Sequence, residues 1–230
     1  MTLCGMLLDI DGTLLLSNDA QAHAWIDAFR EFDYQDISFK QVQPLIGMGG
    51  DKLLAKVAPG LKDTEGIGKN ITARRTEIFL KKYAPHLQPA PGARDLLVRL
   101  KDAGLTLTIA TSAKDQELQA LLKAAGIDDL IQHKTTSDDA GQSKPDPDIV
   151  QAALEESGLG PSEVLMLGDT PYDIEAAERS QVGAIAVRCG GHDEDLAGAL
   201  AVYDDPADLL AHLADSPIGT HAASASSVPS

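Results

Sequence analysis

The chain has few cysteines, few positive charges and no long apolar run. Only two of its 230 residues are cysteines, Cys4 and Cys189, which is too few for a disulfide framework, so we expect both to be free thiols. No run approaches the ~20 apolar residues that span a bilayer. The apolar start at residues 1–8 is too short for a signal peptide and is followed by Asp9 and Asp11. These features predict a cytoplasmic protein.

The shortage of positive charge limits the classes of partner. Lysine and arginine number 19 against 35 aspartates and glutamates, which gives a net charge of −16 and a pI near 4.6. Such a field disfavours nucleic acid and anionic membranes. It would also repel a phosphorylated substrate, so a site for one needs a local cation, for which a metal ion would serve.

The hydrophobic pattern alternates short strand-like runs with helical periodicity. A hydrophobic fraction of 43% can form a sizeable core. Strands are predicted at residues 3–8, 105–110, 130–132, 164–167, 184–187 and 201–203. Helices are predicted around residues 22–29 and at 52–57, 67–83, 93–103, 115–125, 147–157, 173–181 and 206–213. This alternation predicts an α/β fold with a doubly wound parallel sheet.

One long segment interrupts that alternation. Residues 16–88 contain helical patterns and no strand-like run, so we predict an all-helical cap inserted after the first strand, with Asn18 or Asp19 capping its first helix. The sheet-forming core is then predicted at residues 1–15 and 89–214. Residues 215–230, rich in serine and alanine, are predicted to form a flexible tail.

Polar residues follow the ends of predicted strands. Asp9, Thr111 and Asp169 do so directly, and Lys144 lies in a loop before a helix. The carboxyl ends of parallel strands meet at one edge, so these residues should converge. Asp9 and Asp11, two residues apart, start on the same side. Such an oxygen-rich acidic site suits Mg²⁺, which would draw in phosphate oxygens.

The same residues can perform phosphoryl transfer. Lys144 offers a point charge, Thr111 a hydroxyl and Ser112 a backbone amide to hold a phosphoryl group. A carboxylate such as Asp9 can attack phosphorus and form an acyl phosphate that water clears in a second step. Asp11 is the natural general acid and base for both steps.

Four segments together resemble the signatures of the haloacid dehalogenase superfamily, in the family's order. They are DIDGTL at residues 9–14, TS at 111–112, SKPDP at 143–147 and GDTPYD at 168–173. The resemblance covers roughly residues 1–214. It points to the branch with a small helical cap that includes phosphoglycolate phosphatases and β-phosphoglucomutases, and it implies a Rossmann-like core.

The resemblance also implies roles for individual residues. The nucleophile would be Asp9 and the general acid/base Asp11, which also gives its backbone carbonyl to the metal. Thr111, the Ser112 amide and Lys144 would hold the phosphoryl group. The metal ligands would be Asp9, Asp11, Asp169 and Asp173. Members that break carbon–halogen bonds lack an aspartate at the position of Asp11, so its presence favours phosphoryl transfer.

The predicted cap says less about the substrate. Residues 47–52 resemble the family's specificity loop, which makes Gly49, Gly50 and Lys52 candidate substrate-binding residues. The related sugar-phosphate mutases have an arginine where this chain has Gly50, and a histidine where it has Gln21. Both departures weaken a mutase interpretation. We interpret Arg74 and Arg75 as surface charges and Trp25 as packing.

The sequence therefore predicts a Mg²⁺-dependent phosphomonoesterase for a small phosphorylated metabolite. A sugar phosphomutase on the same fold is the alternative. From other classes, a phospho-receiver domain and a non-catalytic binding protein stay open. No nucleic-acid or membrane partner is expected, and either a monomer or a homodimer is compatible with the sequence. A few cap residues determine which substrate such an enzyme accepts.

Overall fold

The computed structural model describes residues 2–191 and 196–220. Its strands are β1 (Gly5–Leu8), β2 (Thr106–Ala110), β3 (His133–Thr135), β4 (Val164–Gly168), β5 (Gly183–Val187) and β6 (Ala201–Tyr203). They form one parallel sheet in the order β3-β2-β1-β4-β5-β6. From β1 the strand order runs outward in one direction through β2 and β3 and in the other through β4, β5 and β6. Parallel sheets of this kind bind ligands at the carboxyl ends of the two strands where the direction changes, here β1 and β4. The predicted fold class is confirmed.

Both faces of the sheet are buried by helices. In β1, Met6 and Leu8 belong to one hydrophobic cluster and Leu7 to another, because successive strand side chains point to opposite faces. On the first face lie α5 (Ala93–Asp102), α6 (Asp115–Ala125) and α9 (Pro206–Ala211). On the second lie α7 (Asp148–Ser157) and α8 (Pro171–Arg179).

Residues 16–88 are mainly helical, as predicted. The helices of this segment are α1 (Asn18–Glu31), α2 (Phe39–Val42), α3 (Gly50–Val57) and α4 (Gly66–Ile78), which continues into a π-helical turn, Phe79–Tyr83. The chain leaves and re-enters the core side by side: the Ala90 N–H donates to the Leu14 carbonyl at 3.0 Å and the Leu16 N–H to the Gln88 carbonyl at 3.0 Å. That residues 16–88 form a separate cap domain stays a prediction.

Three sequence-based predictions need correction. The strand predicted at 130–132 lies instead at His133–Thr135, because Leu130 is buried in the hydrophobic core and the paired residues of the sheet begin at His133. The helix predicted at 173–181 starts at Pro171, whose ring suits a first helical position. The predicted tail starts too early, since Ile218 packs in the core. Residues 221–230 lie outside the described part.

Two further expectations concern the cysteines and the membrane. Cys4 and Cys189 are both free, as predicted. Over residues 2–191 and 196–220, the helices are too short or too polar to span a bilayer.

Candidate active site

Four charged residues meet beyond the ends of β1 and β4. Asp9 and Asp169 follow these neighbouring strands, Asp173 lies in the first turn of α8, and Lys144 arrives from the loop before α7. The Lys144 ammonium lies 2.6 Å from Asp9 Oδ1 and 2.7 Å from Asp173 Oδ1. All four side chains are buried, Lys144 completely. The sheet edge predicted from sequence thus brings these groups together.

Asp173 serves the helix and the site with different oxygens. Its Oδ2 accepts the Thr170 N–H at 3.0 Å and the Thr170 hydroxyl at 2.6 Å, while its own N–H donates to the Thr170 hydroxyl at 3.2 Å. This reciprocal cap fixes the start of α8. The remaining oxygen faces Lys144. Helix capping therefore orients the carboxylate toward the site.

The crowding of carboxylates shifts their protonation. Burial raises the pKa of Asp9 to about 7, although Lys144 lowers it, and the charges of Asp173 and Asp11 raise it further. Burial, then Asp173 and Asp9, raise the pKa of Asp169. Burial alone would lower the pKa of Lys144, but Asp173 and Asp9 outweigh it and the pKa of Lys144 rises, so the ammonium stays charged.

The donor set fits a divalent cation. One oxygen from each of Asp9, Asp169 and Asp173 can be chosen so that all three lie within 4.8 Å of one another. Three carboxylates against one ammonium leave two negative charges when all are ionised, which matches one doubly charged ion. Carboxylate oxygens are also the ligands preferred by hard cations such as Mg²⁺.

Asp11 stands beside this cluster with one oxygen already bound. Its Oδ1 accepts the Ser17 hydroxyl at 2.5 Å and the Gln21 amide at 2.9 Å. Both donors come from the start of the insert, and both are buried. Asp11 also lines the cavity described next, so its second oxygen is the one left for chemistry.

A cavity of about 370 Å³ lies between the sheet edge and the inserted helices. The core contributes Asp9, Asp11, Thr111, Ser112 and Lys114, and the insert contributes Gln21, Trp25, Gly50 and Arg75. The Ala113 N–H donates to the Thr111 hydroxyl oxygen at 3.1 Å. Among the described residues, the buried Ser112 hydroxyl has no hydrogen-bond partner. Both hydroxyls can therefore donate to an anion in this cavity.

The specificity loop is only partly placed as predicted. Gly50 lines the cavity, but Gly49 packs against Ser143, where a Cβ would collide with the serine side chain. Lys52 turns to the core: its ammonium contacts the Ser143 carbonyl and lies 2.6 Å from Asp146. Lys52 thus joins the insert to the loop that carries Lys144, and its predicted role as a substrate ligand gains no support from its contacts.

Arg75 contradicts the interpretation as a surface charge. Its guanidinium lines the cavity and lies 2.5 Å from Glu117 Oε1, a fully buried carboxylate on α6. It also donates to Gln21 and lies over the Trp25 ring, 5.4 Å from the centroid. Arg74, in contrast, is the surface charge expected, paired with exposed glutamates. Helical periodicity gives no sign of this difference.

The family model of the haloacid dehalogenase-like hydrolases matches residues 6–187, most of the chain. This chain belongs to that family. A phosphoglycolate phosphatase from Rhodospirillum rubrum is 32% identical over 89% of this chain and 88% of that protein. A hydrolase from Pseudomonas syringae of known structure is 30% identical, covers 92% of this chain and 98% of its own, and superposes with a TM-score of 0.83.

A further solved structure comes from the mutase side of the family. A candidate β-phosphoglucomutase from Bacteroides vulgatus is 26% identical, covers 99% of this chain and 91% of its own, and has a TM-score of 0.82. The predicted branch of the haloacid dehalogenase-like hydrolases is confirmed. The prediction of a phosphatase, a hydrolase of phosphoric monoesters, is confirmed at the level of reaction class.

Sequence reasoning missed three polar residues beside the carboxylates of this site, one of which is Ser17, the donor to Asp11 described above. The Thr13 hydroxyl lies 3.2 Å from Asp9 Oδ2 and 3.1 Å from Asp169 Oδ1, between the two carboxylates. The Asn18 side chain was expected to cap α1 but instead donates to Asp169 Oδ2 at 2.8 Å. Thr13 lies inside the first signature and could have been singled out there; Asn18 carries no comparable sequence signal.

Proposed function

We propose that this phosphatase uses Asp9 as its nucleophile and Asp11 as its general acid and base. The observation that carries the proposal is the pair's geometry: both line one cavity, Asp9 is held by Lys144 and Thr13, and Asp11 has a single oxygen bound by Ser17 and Gln21. A fixed carboxylate beside a second one that can carry a proton is what a two-step displacement needs.

The proposed reaction consists of two displacements at phosphorus. An Asp9 oxygen attacks phosphorus and forms an acyl phosphate while the bond to the leaving oxygen breaks. Asp11 gives its proton to that oxygen, and the alcohol departs. Asp11 then takes a proton from water as the water oxygen attacks phosphorus, which releases inorganic phosphate and the free Asp9 carboxylate. Lys144, Thr111 and the Ser112 amide would hold the phosphoryl oxygens.

Mg²⁺ is the proposed cofactor, held by Asp9, Asp169, Asp173 and the Asp11 backbone carbonyl. When bound, it would neutralise carboxylate charge and polarise the phosphoryl group. The three clustered carboxylates support this assignment. Since burial raises the pKa of Asp9 to about 7, the nucleophile needs a nearby cation to stay ionised at neutral pH, and Lys144 alone faces more than one carboxylate.

The proposed substrate is a small phosphorylated acid such as phosphoglycolate. The relative from Rhodospirillum rubrum carries that activity in its name. The cavity of about 370 Å³ suits a small metabolite, and its lining includes the cationic Arg75 and Lys114, which could attract a carboxylate. Gly50 and Gln21 replace the arginine and histidine of the mutases, which disfavours a second phosphate at that place.

The test is phosphate release from a panel of phosphorylated metabolites and an aryl phosphate, with and without Mg²⁺. Asp9→Asn should abolish release, because the amide is not a nucleophile. The matched control is Asp36→Asn, the same change at an exposed position, which should leave turnover intact. Turnover by Asp9→Asn would contradict the nucleophile assignment. Isomerisation of a sugar phosphate without phosphate release would favour the mutase alternative instead.

A further inference from the structure

Asn18 is a buried amide in direct contact with a proposed metal ligand. It lies in the first turn of α1 and is 3% exposed. Its Nδ2 donates to Asp169 Oδ2 at 2.8 Å and to the Gly190 carbonyl at 2.8 Å. One side chain of the insert thus fixes the orientation of a core carboxylate and ties it to the loop after β5.

The two oxygens of Asp169 have different surroundings. Oδ1 accepts from Thr13, whose hydroxyl also lies within hydrogen-bond distance of Asp9. Oδ2 accepts from Asn18 and is closely approached by the backbones of Gly12 and Gly190, where a Cβ at either position would collide with Asp169. The oxygen on the Asp9 side is therefore the one that Asp169 can offer to an ion.

Each of the three carboxylates has one oxygen held in this way. Asp9 Oδ1 accepts from Lys144 at 2.6 Å. Asp173 Oδ2 caps α8, and Asp169 Oδ2 is held by Asn18. The other oxygens, Asp9 Oδ2, Asp169 Oδ1 and Asp173 Oδ1, meet the Thr13 hydroxyl or the Lys144 ammonium inside the same cluster, and they are the ones that we expect to face an ion. One-oxygen ligands suit the six-coordinate geometry of Mg²⁺, whereas Ca²⁺ takes six to eight oxygens and often binds a carboxylate through both.

We propose that Asn18 is a positioning residue that keeps Asp169 a one-oxygen ligand and thereby favours Mg²⁺ over Ca²⁺. The inference rests on the proposed magnesium site. Without the Asn18 amide, Asp169 Oδ2 loses its side-chain donor, and a small turn of the carboxylate can bring this oxygen to the ion as well. Mg²⁺ then loses a carboxylate that was fixed in the orientation it needs, whereas Ca²⁺ gains a second ligand oxygen from the same residue.

Direct titration of the metal-free full-length protein tests this proposal. Binding of Mg²⁺ and Ca²⁺ is measured separately by calorimetry for the wild type, Asn18→Ala and Asn18→Leu, with Asn70→Ala as the matched control at an exposed position. Asn18→Leu keeps roughly the volume and removes the hydrogen bonds, so it remains informative if Asn18→Ala does not fold. Losing a partner of a metal ligand typically costs about 10–100-fold in affinity.

The expected result is a fall of about tenfold or more in the ratio of Mg²⁺ to Ca²⁺ affinity for both Asn18 variants, and none for Asn70→Ala. An unchanged ratio in a folded variant, including equal weakening of both ions, would overturn the proposal while leaving the magnesium site standing. A wild type that binds no Mg²⁺ would overturn the magnesium site itself. Because binding is read directly, the outcome does not depend on turnover.

Discussion

Lys144 is the fully buried cation of the site, so its replacement by methionine should be costly. Methionine keeps much of the length and removes the charge that Asp9 and Asp173 share at 2.6 and 2.7 Å. Removing one partner of a buried ion pair costs about 3–5 kcal/mol. For a chain of this size, that loss corresponds to a melting temperature lower by about 6–20 °C.

The loss should depend on pH in a defined direction. The pKa of Asp9 is about 7 in the folded protein, against an ordinary value of 3.8 for an aspartate in water. A carboxyl shifted upward stabilises the fold most below its unfolded pKa, and that contribution is lost as pH rises through the folded pKa. The free energy of unfolding of the metal-free protein should therefore fall between about pH 4 and pH 7. Lys144→Met should destabilise the protein more at pH 8 than at pH 5, because at the higher pH the Asp9 carboxyl has to ionise without its cationic partner.

The assay is thermal and urea unfolding at both pH values, in chelator and in excess Mg²⁺, with Lys134→Met as the control at an exposed position on the edge strand β3. A divalent ion should restore part of the lost stability, since at about 100 times its dissociation constant it adds about 2.7 kcal/mol. A loss below about 1 kcal/mol at pH 8 without metal, or equal losses in both variants, would refute this account of the buried pair.

Two further predictions concern contacts away from the proposed catalytic carboxylates. Ile218→Ala should lower the free energy of unfolding by about 2–5 kcal/mol, because Ile218 is only 4% exposed in the core. The control Ile67→Ala, at a half-exposed position, should change it by less than about 0.5 kcal/mol. Equal urea midpoints for the two variants would contradict the placement of Ile218 in the core. Lys52→Met should cost less than about 1 kcal/mol of stability, because the pair with Asp146 is partly exposed. Since it frees α3 from Asp146, kcat/KM should fall by up to about fivefold, the rate ratio that corresponds to the same energy. Added salt should then lower the free energy of unfolding of the wild type more than that of this variant. Lys56→Met on the same helix is the control.

The sequence was informative about the site because the fold is parallel. Strand ends that lie far apart in the chain meet at one edge, so Asp9 and Asp169 could be paired without any structure. Asp173 could be placed in the first turn of its helix from the spacing alone. The short edge strand β3 was predicted three residues too early because its own residues are polar, whereas the apolar Leu130 and Ile131 just before it pack in the hydrophobic core.

Contacts between the insert and the core were not predictable in the same way. Periodicity shows which face of α4 is apolar, but it does not show which polar group meets a buried partner. Arg75 and Arg74 are sequence neighbours, yet one lines the cavity and the other is exposed. Asn18 was a candidate cap for its helix because the preference of asparagine for helix starts can be recognised in the local sequence. Its contact with the Asp169 carboxylate, 151 positions away, cannot.

The Arg75–Glu117 pair restricts how the cavity can change during evolution. Glu117 is fully buried, and Arg75 and the Thr76 hydroxyl, at 2.5 and 2.7 Å, both contact its Oε1. A mutation that removes Arg75 alone leaves a buried carboxylate with a single neutral donor. Such a mutation would therefore destabilise the protein even where it gives the cavity a different selectivity. Replacement of Glu117 by a neutral residue earlier in the lineage would remove that barrier. The order of substitutions, and not only their identity, therefore determines which substrates descendants of this chain can reach.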